Sequence, residues 1–345
     1  MNHKIPPNPP VSDPAPLLGY RDGQFAAELL AAAIIHLDLF TWMDTHPGVG
    51  TAELCAHFEL APRPADVLLT LCRANGFIKT DARETHNLTL LAKEHLVSGS
   101  PWHLGPYYEP LRDTPAVKDF LKVLRTGKPA NWQATDGDWH RSMLSEEFAR
   151  GFTTLMNCRG LAFGQALALA LTPHLGERTR VLDIAGGSGI YAATLLAAHP
   201  NLTATVTEQQ PVDAIAREMV RDRGLTGRID VITADLFTAW PQGAEIHLLS
   251  NVLHDWDFPE VRTILEQSAQ AIAPGGLLVI HEAFLNDTKT GPLPVAEYST
   301  LLMRVSQGKC YSAAEYVPIL SELGFKPGAY EATIGNRGFM TAARV

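Results

Sequence analysis

The chain has 345 residues, 46% of them hydrophobic and 19% charged. That length predicts two domains, or one large domain with an attachment, and the apolar share excludes an intrinsically disordered chain. Its 28 Lys+Arg against 37 Asp+Glu leave a formal charge of −9, which argues against general nucleic-acid binding and against docking on anionic membranes.

The first sixteen residues carry six prolines and no apolar run. They read as an extended, proline-rich arm over residues 1–18 rather than a signal peptide. A disordered tail is the expected state, and an arm laid across a partner subunit is the functional alternative. No apolar run is long enough to span a membrane. Cys55, Cys72, Cys158 and Cys310 lie far apart with no CxxC spacing, so neither a zinc site nor a disulfide framework is expected. The reducing cytoplasm is the expected compartment.

From residue 24 to 43, QFAAELLAAAIIHLDLFTWM is apolar nearly all round and predicts one buried helix, of a kind often covered by a second subunit. Two short helical patterns follow, with start signals at Thr51 and Pro64 and a stop at Gly76. FIKTDARETHNLTL then alternates about a polar centre, as a hairpin does. Helix–helix–hairpin is a winged-helix order, which raises DNA binding as a function. The second helix offers only Arg63 and Arg73 as cations, so a winged helix used for homodimer contacts over residues 19–100 is the preferred reading.

Residues 101–175 read as a helical connecting region, with a long apolar-faced pattern from Glu146 and a linker at TPHLGERT. Beyond residue 176 the pattern changes. TRVLDIAG, ATVTEQ, IDVITAD, EIHLLSNVL and GLLVIHEAF are short runs rich in β-branched residues, and helical stretches begin near Gly189, Pro211, Phe258 and Pro294. This alternation predicts an α/β, Rossmann-like doubly wound sheet in residues 176–345, with its ligand at the carboxyl ends of the strands. GAYEATI and GFMTAARV would close it as an antiparallel edge hairpin.

The run Asp183-Ile184-Ala185-Gly186-Gly187-Ser188-Gly189 leads a strand through glycines into a helix. Glycines permit close backbone approach, and the helix start offers unpaired N–H groups. Glu208 ends the next strand, placed to accept hydrogen bonds from a ribose. Residues 187–192 also fit GxGxxA, so the loop alone leaves a nicotinamide cofactor and an oxidoreductase open.

Together, DIAGGSG, ADLF, NVLHDWD, APGG and IHEAF resemble the S-adenosylmethionine-dependent O-methyltransferases of the caffeate and acetylserotonin type, and the resemblance extends over nearly the whole chain. It implies that Asp183, Gly186, Gly187 and Gly189 carry the methionine half of the cofactor. Glu208 would hold the ribose. Asp235, with Leu236 and Phe237, would meet the adenine, and Ser250 completes the cofactor set. S-adenosylhomocysteine would be the product. His254 is implied as the general base, with Glu282 orienting it and Asp255 beside them. An imidazole titrates near pH ~6.5 and can accept a hydroxyl proton, while a carboxylate on its far nitrogen fixes the tautomer. Asp257 reads instead as a helix N-cap, with Glu260 as its capping-box acid.

One stretch departs from the family. Where many members read Gly-(Lys/Arg)-Glu-Arg-Thr, this chain has Gly308-Lys309-Cys310-Tyr311-Ser312, so Cys310 replaces the second acid flanking the histidine. Phe152, Met156, Asn157, Trp256, Met303, Arg304 and Cys310 are the candidate walls of a pocket for a small-molecule acceptor. Arg304 would pair with an acceptor carboxylate. O-methylation of a hydroxyl follows the family. S-methylation of a thioether hydroxy acid, as in the methylthiohydroxybutyrate S-methyltransferases of dimethylsulfoniopropionate synthesis, stays open because it needs no base. From another class, a winged-helix regulator that senses a nucleoside ligand remains the alternative.

Overall fold

A computed structural model describes residues 4–132 and 139–345; residues 1–3 of the proline-rich arm and 133–138 of the connecting region lie outside the described residues. Contacts divide the chain into two compact units. One comprises Met1–Pro16, Gln133–Phe284 and Ala313–Val345, the other Leu17–Trp132 and Leu285–Ser312. The helix Glu146–Ala170, read from sequence as part of a connecting region, therefore groups with the α/β sheet. Residues 285–312, which follow the fifth predicted strand, group with the N-terminal helices.

In the second unit, Val49–Gly50 (β1), Ile78–Thr80 (β2) and Thr85–Leu88 (β3) form an antiparallel sheet in the order β1-β3-β2. The helices Thr51–Phe58 and Pro62–Ala74 lie between β1 and β2 in sequence, which is the expected helix–helix–hairpin order. Proline in the first turn suits the helix start because no amide is needed there. The β2–β3 turn closes locally: Asp81 Oδ1 accepts the amides of Arg83 at 2.9 Å and Thr85 at 3.0 Å.

Two sequence expectations fail here for identifiable reasons. The apolar stretch 24–43 is not one helix. Ala26–Ala31 runs into a π-helical turn, Ala32–His36, and the chain then breaks at Asp38, whose φ is +45°, before Leu39–Thr45 resumes at a 54° bend. Nor does this stretch need a second subunit to cover it, because Leu29, Ala31, Leu39 and Phe40 are fully buried within the single chain. Among the described residues no single helix is long and apolar enough to cross a membrane.

In the first unit, Arg180–Ile184 (β4), Thr203–Glu208 (β5), Ile229–Thr233 (β6), Ile246–Ser250 (β7), Leu277–Glu282 (β8), Phe325–Ala332 (β9) and Gly338–Arg344 (β10) build one sheet. Its order is β6-β5-β4-β7-β8-β10-β9. The first five strands are parallel, and β10 inserts antiparallel between β8 and β9. β7 and β8 are buried along their whole length, as strands covered on both faces must be. The expected edge hairpin is therefore present, with its second strand inside the sheet. The order reverses at β4, so the carboxyl ends of β4, β5 and β7 open onto the switch point where such sheets bind ligands.

Glycine spacing seats the long helix Glu146–Ala170 on the helix Ile190–Ala198. A Cβ on Gly160 would lie 2.6 Å from Ile190 Cγ2, and one on Gly164 would collide with Thr194, so the two backbones approach only because both side chains are absent. The arm is also tied down. Gln165 Nε2 donates to the Pro6 carbonyl at 2.7 Å, and Gly335 N donates to Asp13 Oδ1 at 2.9 Å. Residues 4–14 are thus held by their own chain rather than forming a free tail. A helix begins at Ala15, with Pro16 in a first turn that tolerates it.

Candidate active site

The glycine loop leaves β4 at the switch point. Ala185 at φ +49°, Gly187 at +58° and Gly189 at +68° curl it over the sheet. A Cβ on Gly186 would sit 2.6 Å from Asp183 Cγ, and one on Gly189 would press on Val206 Cγ2 at 3.3 Å. Bare backbone is what lets the loop close over the Asp183 carboxyl. Asp183 Oδ2 accepts the Ala192 amide at 3.2 Å, while its buried Oδ1 has no partner. Burial pushes this carboxyl up to about 7; the Ala192 bond opposes that rise and the Glu208 charge adds to it.

Glu208 lies at the end of β5. Its Oε1 accepts the Gly187 amide at 2.9 Å and its Oε2 the Gln209 amide at 3.0 Å. Each oxygen keeps an acceptor site. Burial raises Glu208 to about 7 against the lowering effect of those two amides. Beyond β6, Asp235 Oδ1 accepts the Phe237 amide at 2.7 Å, and Leu236 offers its carbonyl to Trp240 Nε1 at 3.0 Å. Phe237 meets Trp256 edge-to-face, with centroids 4.8 Å apart. Trp256, expected as an acceptor wall, is thus brought to the Asp235–Phe237 turn.

After β7, a short 3-10 turn, Leu253–Asp255, carries His254. His254 Nδ1 lies 2.5 Å from Glu282 Oε2, and both side chains are almost wholly buried, at 5% and 3% exposure. The other oxygen, Oε1, accepts the amides of Val252 and Leu253, both at 3.0 Å. The carboxylate is therefore fixed by backbone on one side and offered to the imidazole on the other. Asp255 Oδ1 stands 3.9 Å from Nε2. Burial alone would lower the imidazole's pKa, but the charges of Glu282 and Asp255 outweigh it and hold His254 above its ordinary value. Asp257 caps the following helix Phe258–Ala271, accepting the Phe258 amide at 2.9 Å.

Other expected positions sit elsewhere. Asn157 Oδ1 accepts from Ser188 Oγ at 2.9 Å and also contacts Arg223 Nη2, so it braces the glycine loop instead of facing an acceptor. Phe152 packs beside Met143, Val212, Ile215 and Met219 and meets Trp139 edge-to-face; Met156, one turn on, is partly buried. In the second unit Met303 and Cys310 are fully buried, and the Cys310 amide donates to Ser299 Oγ at 3.0 Å. Arg304 is committed to its own chain: Nη2 pairs with Asp119 Oδ2 at 2.5 Å, and the guanidinium lies 4.6 Å from the Phe25 ring centroid. The guanidinium that the sequence offered to an acceptor carboxylate thus already carries an internal carboxylate partner. Ser250 Oγ is engaged by His281 Nδ1 at 2.7 Å and by Asn251 Nδ2 at 3.2 Å.

Sequence reasoning passed over Tyr191, Asn251, Arg223 and His281. Tyr191 was visible only as a letter in GxGxxA, and Asn251 only as the head of NVLHDWD. His281, beside Glu282 on β8, is fully buried and joined to Ser250 Oγ through Nδ1 at 2.7 Å.

Comparison with known proteins fits this geometry. A model of the O-methyltransferase domain matches residues 119–326. The 3-hydroxy-5-methyl-1-naphthoate 3-O-methyltransferase of Streptomyces sahachiroi is 32% identical over 280 residues, covering 79% of this chain and 78% of that one. The chain belongs to the O-methyltransferase family. It is accordingly an S-adenosylmethionine-dependent enzyme that transfers a methyl group to a hydroxyl of a small molecule, and the nicotinamide reading of GxGxxA is set aside. Among solved structures, an O-methyltransferase family 2 protein from Planctomyces limnophilus, in complex with apigenin, is 28% identical with a TM-score of 0.88 over 100% of both chains. Human N-acetylserotonin methyltransferase in complex with S-adenosylmethionine shares the fold at 22% identity, with a TM-score of 0.60 over 97% and 99% of the two chains.

The residues present suit that cofactor. The free Asp183 Oδ1 and the open acceptor sites on Glu208 match a ligand rich in hydrogen-bond donors, and the Phe237–Trp256 pair offers aromatic surface to a purine.

Proposed function

We propose that this methyltransferase acts on a phenolic hydroxyl of an aromatic acceptor, with His254 as general base and Glu282 as its partner. The observation that carries the reading is the 2.5 Å approach of His254 Nδ1 to a Glu282 carboxylate whose other oxygen is held by two backbone amides. With Nδ1 turned to Glu282, Nε2 is the nitrogen left to receive the hydroxyl proton, and the carboxylate stabilises the imidazolium that forms. Asp255, 3.9 Å from Nε2, adds a second negative charge near that proton. Asp183, the glycine loop, Glu208 and the Asp235–Phe237 turn would hold the cofactor, which supplies an electrophilic methyl group when bound. Aromatic acceptors are supported by the naphthoate named for the Streptomyces sahachiroi relative and by apigenin in the Planctomyces limnophilus complex.

Oxygen is favoured over sulfur because a thioether attacks with its own lone pair and has no proton for such a dyad to remove. His254→Ala separates the two. Loss of turnover by about 10²- to 10⁴-fold on a phenolic acceptor, with S-adenosylhomocysteine binding retained, is the expected result. A variant that keeps most of its rate would remove His254 as base and revive the thioether reading.

We assign residues 19–100 to a winged-helix-like segment that pairs two copies of the chain in the cytoplasm. The helix–helix–hairpin order and the exposed Leu90 and Leu91 support pairing; none of the four cysteines is in a disulfide, which suits a reducing compartment. The cations that a DNA-binding reading would use are occupied. Arg63 donates to the carbonyls of Gly308 and Gly127, and Arg73 to that of Lys289. Light scattering tests the pairing, and a monodisperse monomer would overturn it.

A further inference from the structure

Asn251 joins β7 to the turn that carries His254, and it does so in a conformation few residues adopt. Its φ is +56°, in the left-handed region that asparagine tolerates better than most side chains. Val252 follows at φ −113° and ψ −52°. A left-handed residue beside a right-handed one turns successive amides to the same side, the concave arrangement that binds anions. The anion bound here is internal: Val252 N and Leu253 N both reach Glu282 Oε1 at 3.0 Å. An extended Asn251 would point alternate amides apart and leave that oxygen with one donor at most.

The side chain holds the backbone in this state. Asn251 Nδ2 donates to the Tyr191 hydroxyl at 3.0 Å and to Ser250 Oγ at 3.2 Å, while the Asn251 amide donates to the His281 carbonyl at 2.9 Å. Ser250 Oγ is itself fixed by His281 Nδ1 at 2.7 Å. Tyr191 lies in the first turn of the helix Ile190–Ala198, two residues beyond Gly189, and is buried. One amide group therefore connects the exit of the glycine loop to the turn before the imidazole.

Building on the reading of His254 as base, we infer that Asn251, locked by the Tyr191 hydroxyl, is the positioning residue that sets Glu282 against His254. Without the lock, the two amides leave Oε1 and the carboxylate is free to turn away from Nδ1. The charged groups acting on His254 are Glu282 and Asp255, which raise its pKa, and Arg159 of the helix Glu146–Ala170, which lowers it. A displaced Glu282 tips that balance downward.

The test needs no acceptor. The His254 imidazole is titrated by carbon-13 NMR in the full chain, as wild type and as Asn251→Ala, Asn251→Gly, Tyr191→Phe and Glu282→Gln. Calorimetry with S-adenosylhomocysteine and thermal melting accompany each variant. Glu282→Gln sets the shift for complete loss of the carboxylate. Asn251→Ala is expected to recover most of that shift, lowering the midpoint by about one pH unit or more. Tyr191→Phe and Asn251→Gly, which lose the tether but keep the backbone accessible, are expected to recover less. S-adenosylhomocysteine affinity should stay within about threefold of wild type, since none of these groups leaves the cofactor set. An unchanged midpoint in Tyr191→Phe and in whichever Asn251 variants fold overturns the proposal. So does a shift found only where melting temperature and cofactor affinity collapse together, the pattern of a merely structural residue. Absence of phenol methylation in the wild type would defeat the base reading but leave this titration able to decide the positioning.

Discussion

Gly187 donates its amide to Glu208 Oε1 at 2.9 Å, joining the glycine loop to the end of β5 across 21 residues of sequence. This bond holds a carboxylate that burial has pushed up to about 7, beside Asp183 raised to a similar value from an ordinary 3.8. Both folded-state values lie above the unfolded ones. Their contribution to stability is therefore full at low pH and is lost as pH rises from the ordinary carboxylate range through about 7. The cofactor-free protein should become easier to unfold across that window, and Glu208→Gln should flatten the trend. Cofactor binding runs the other way. Donors on the ligand favour ionised carboxylates, so S-adenosylhomocysteine affinity should climb as pH rises toward 7, up to about tenfold per pH unit for each proton released. Calorimetry that found a flat affinity between pH 6 and 8 would contradict this.

Arg223 grips the same loop from behind. Its Nη1 donates to the Ser188 carbonyl at 2.6 Å and its Nη2 meets Asn157 Oδ1, which also takes the Ser188 hydroxyl. Burial lowers this guanidinium to about 10, so its bonds form in a poorly solvated site where they count for more. Arg223→Met removes two charge-assisted bonds, each worth about 1.5–3 kcal/mol. S-adenosylhomocysteine affinity should fall by roughly tenfold or more. Retention of wild-type affinity in a folded variant would show that the loop holds its shape unaided.

Acid stability should depend on two imidazoles that the fold keeps neutral. His247, bonded to Ser268 Oγ at 3.0 Å, and His281 are both fully buried, and burial lowers each to about 3. Depressed values mean that this contribution is present above the ordinary pKa of 6.5 and is lost as pH falls from there toward 3. Each group steepens the loss by up to about 1.4 kcal/mol per pH unit. Urea melts at several pH values should show a shallower acid limb for His247→Asn, whatever that substitution does to stability at pH 8. An unchanged slope would mean that His247 is hydrated in the fold.

Arg304→Met should weaken the fold and not the cofactor site. The ion pair with Asp119 is partly exposed, so it and the Phe25 ring contact together are worth about 1 kcal/mol. A small drop in melting temperature with unaltered S-adenosylhomocysteine affinity is expected. A selective loss of affinity for carboxylated acceptors, with stability unchanged, would restore the recognition role that the sequence suggests.

Periodicity made the sheet legible, because β7 and β8 are mostly apolar runs, buried throughout, and the glycines after β4 have few other uses. His254 and Glu282 were legible for a related reason: each follows such a run at its carboxyl end. What stayed hidden depends on distance in three dimensions. Nothing local in sequence pairs Arg304 with Asp119, or Asn157 with Ser188 and Arg223. The break at Asp38 was invisible for another reason. An all-apolar stretch has the same hydropathy whether its helix is straight or bent, and only a backbone angle distinguishes the two.

The insertion of β10 gives β8 a late neighbour. Glu282 pairs in register with Gly338, and Leu277 with Ala343, so the strand that presents the carboxylate keeps one bare edge during synthesis until residues 338–344 leave the ribosome. Unpaired edges of this kind invite association between nascent chains. Proteolytic trimming that removed only these few residues would strip away the neighbour of the strand that carries Glu282, without touching His254 in sequence, and turn a finished enzyme back into its unfinished form.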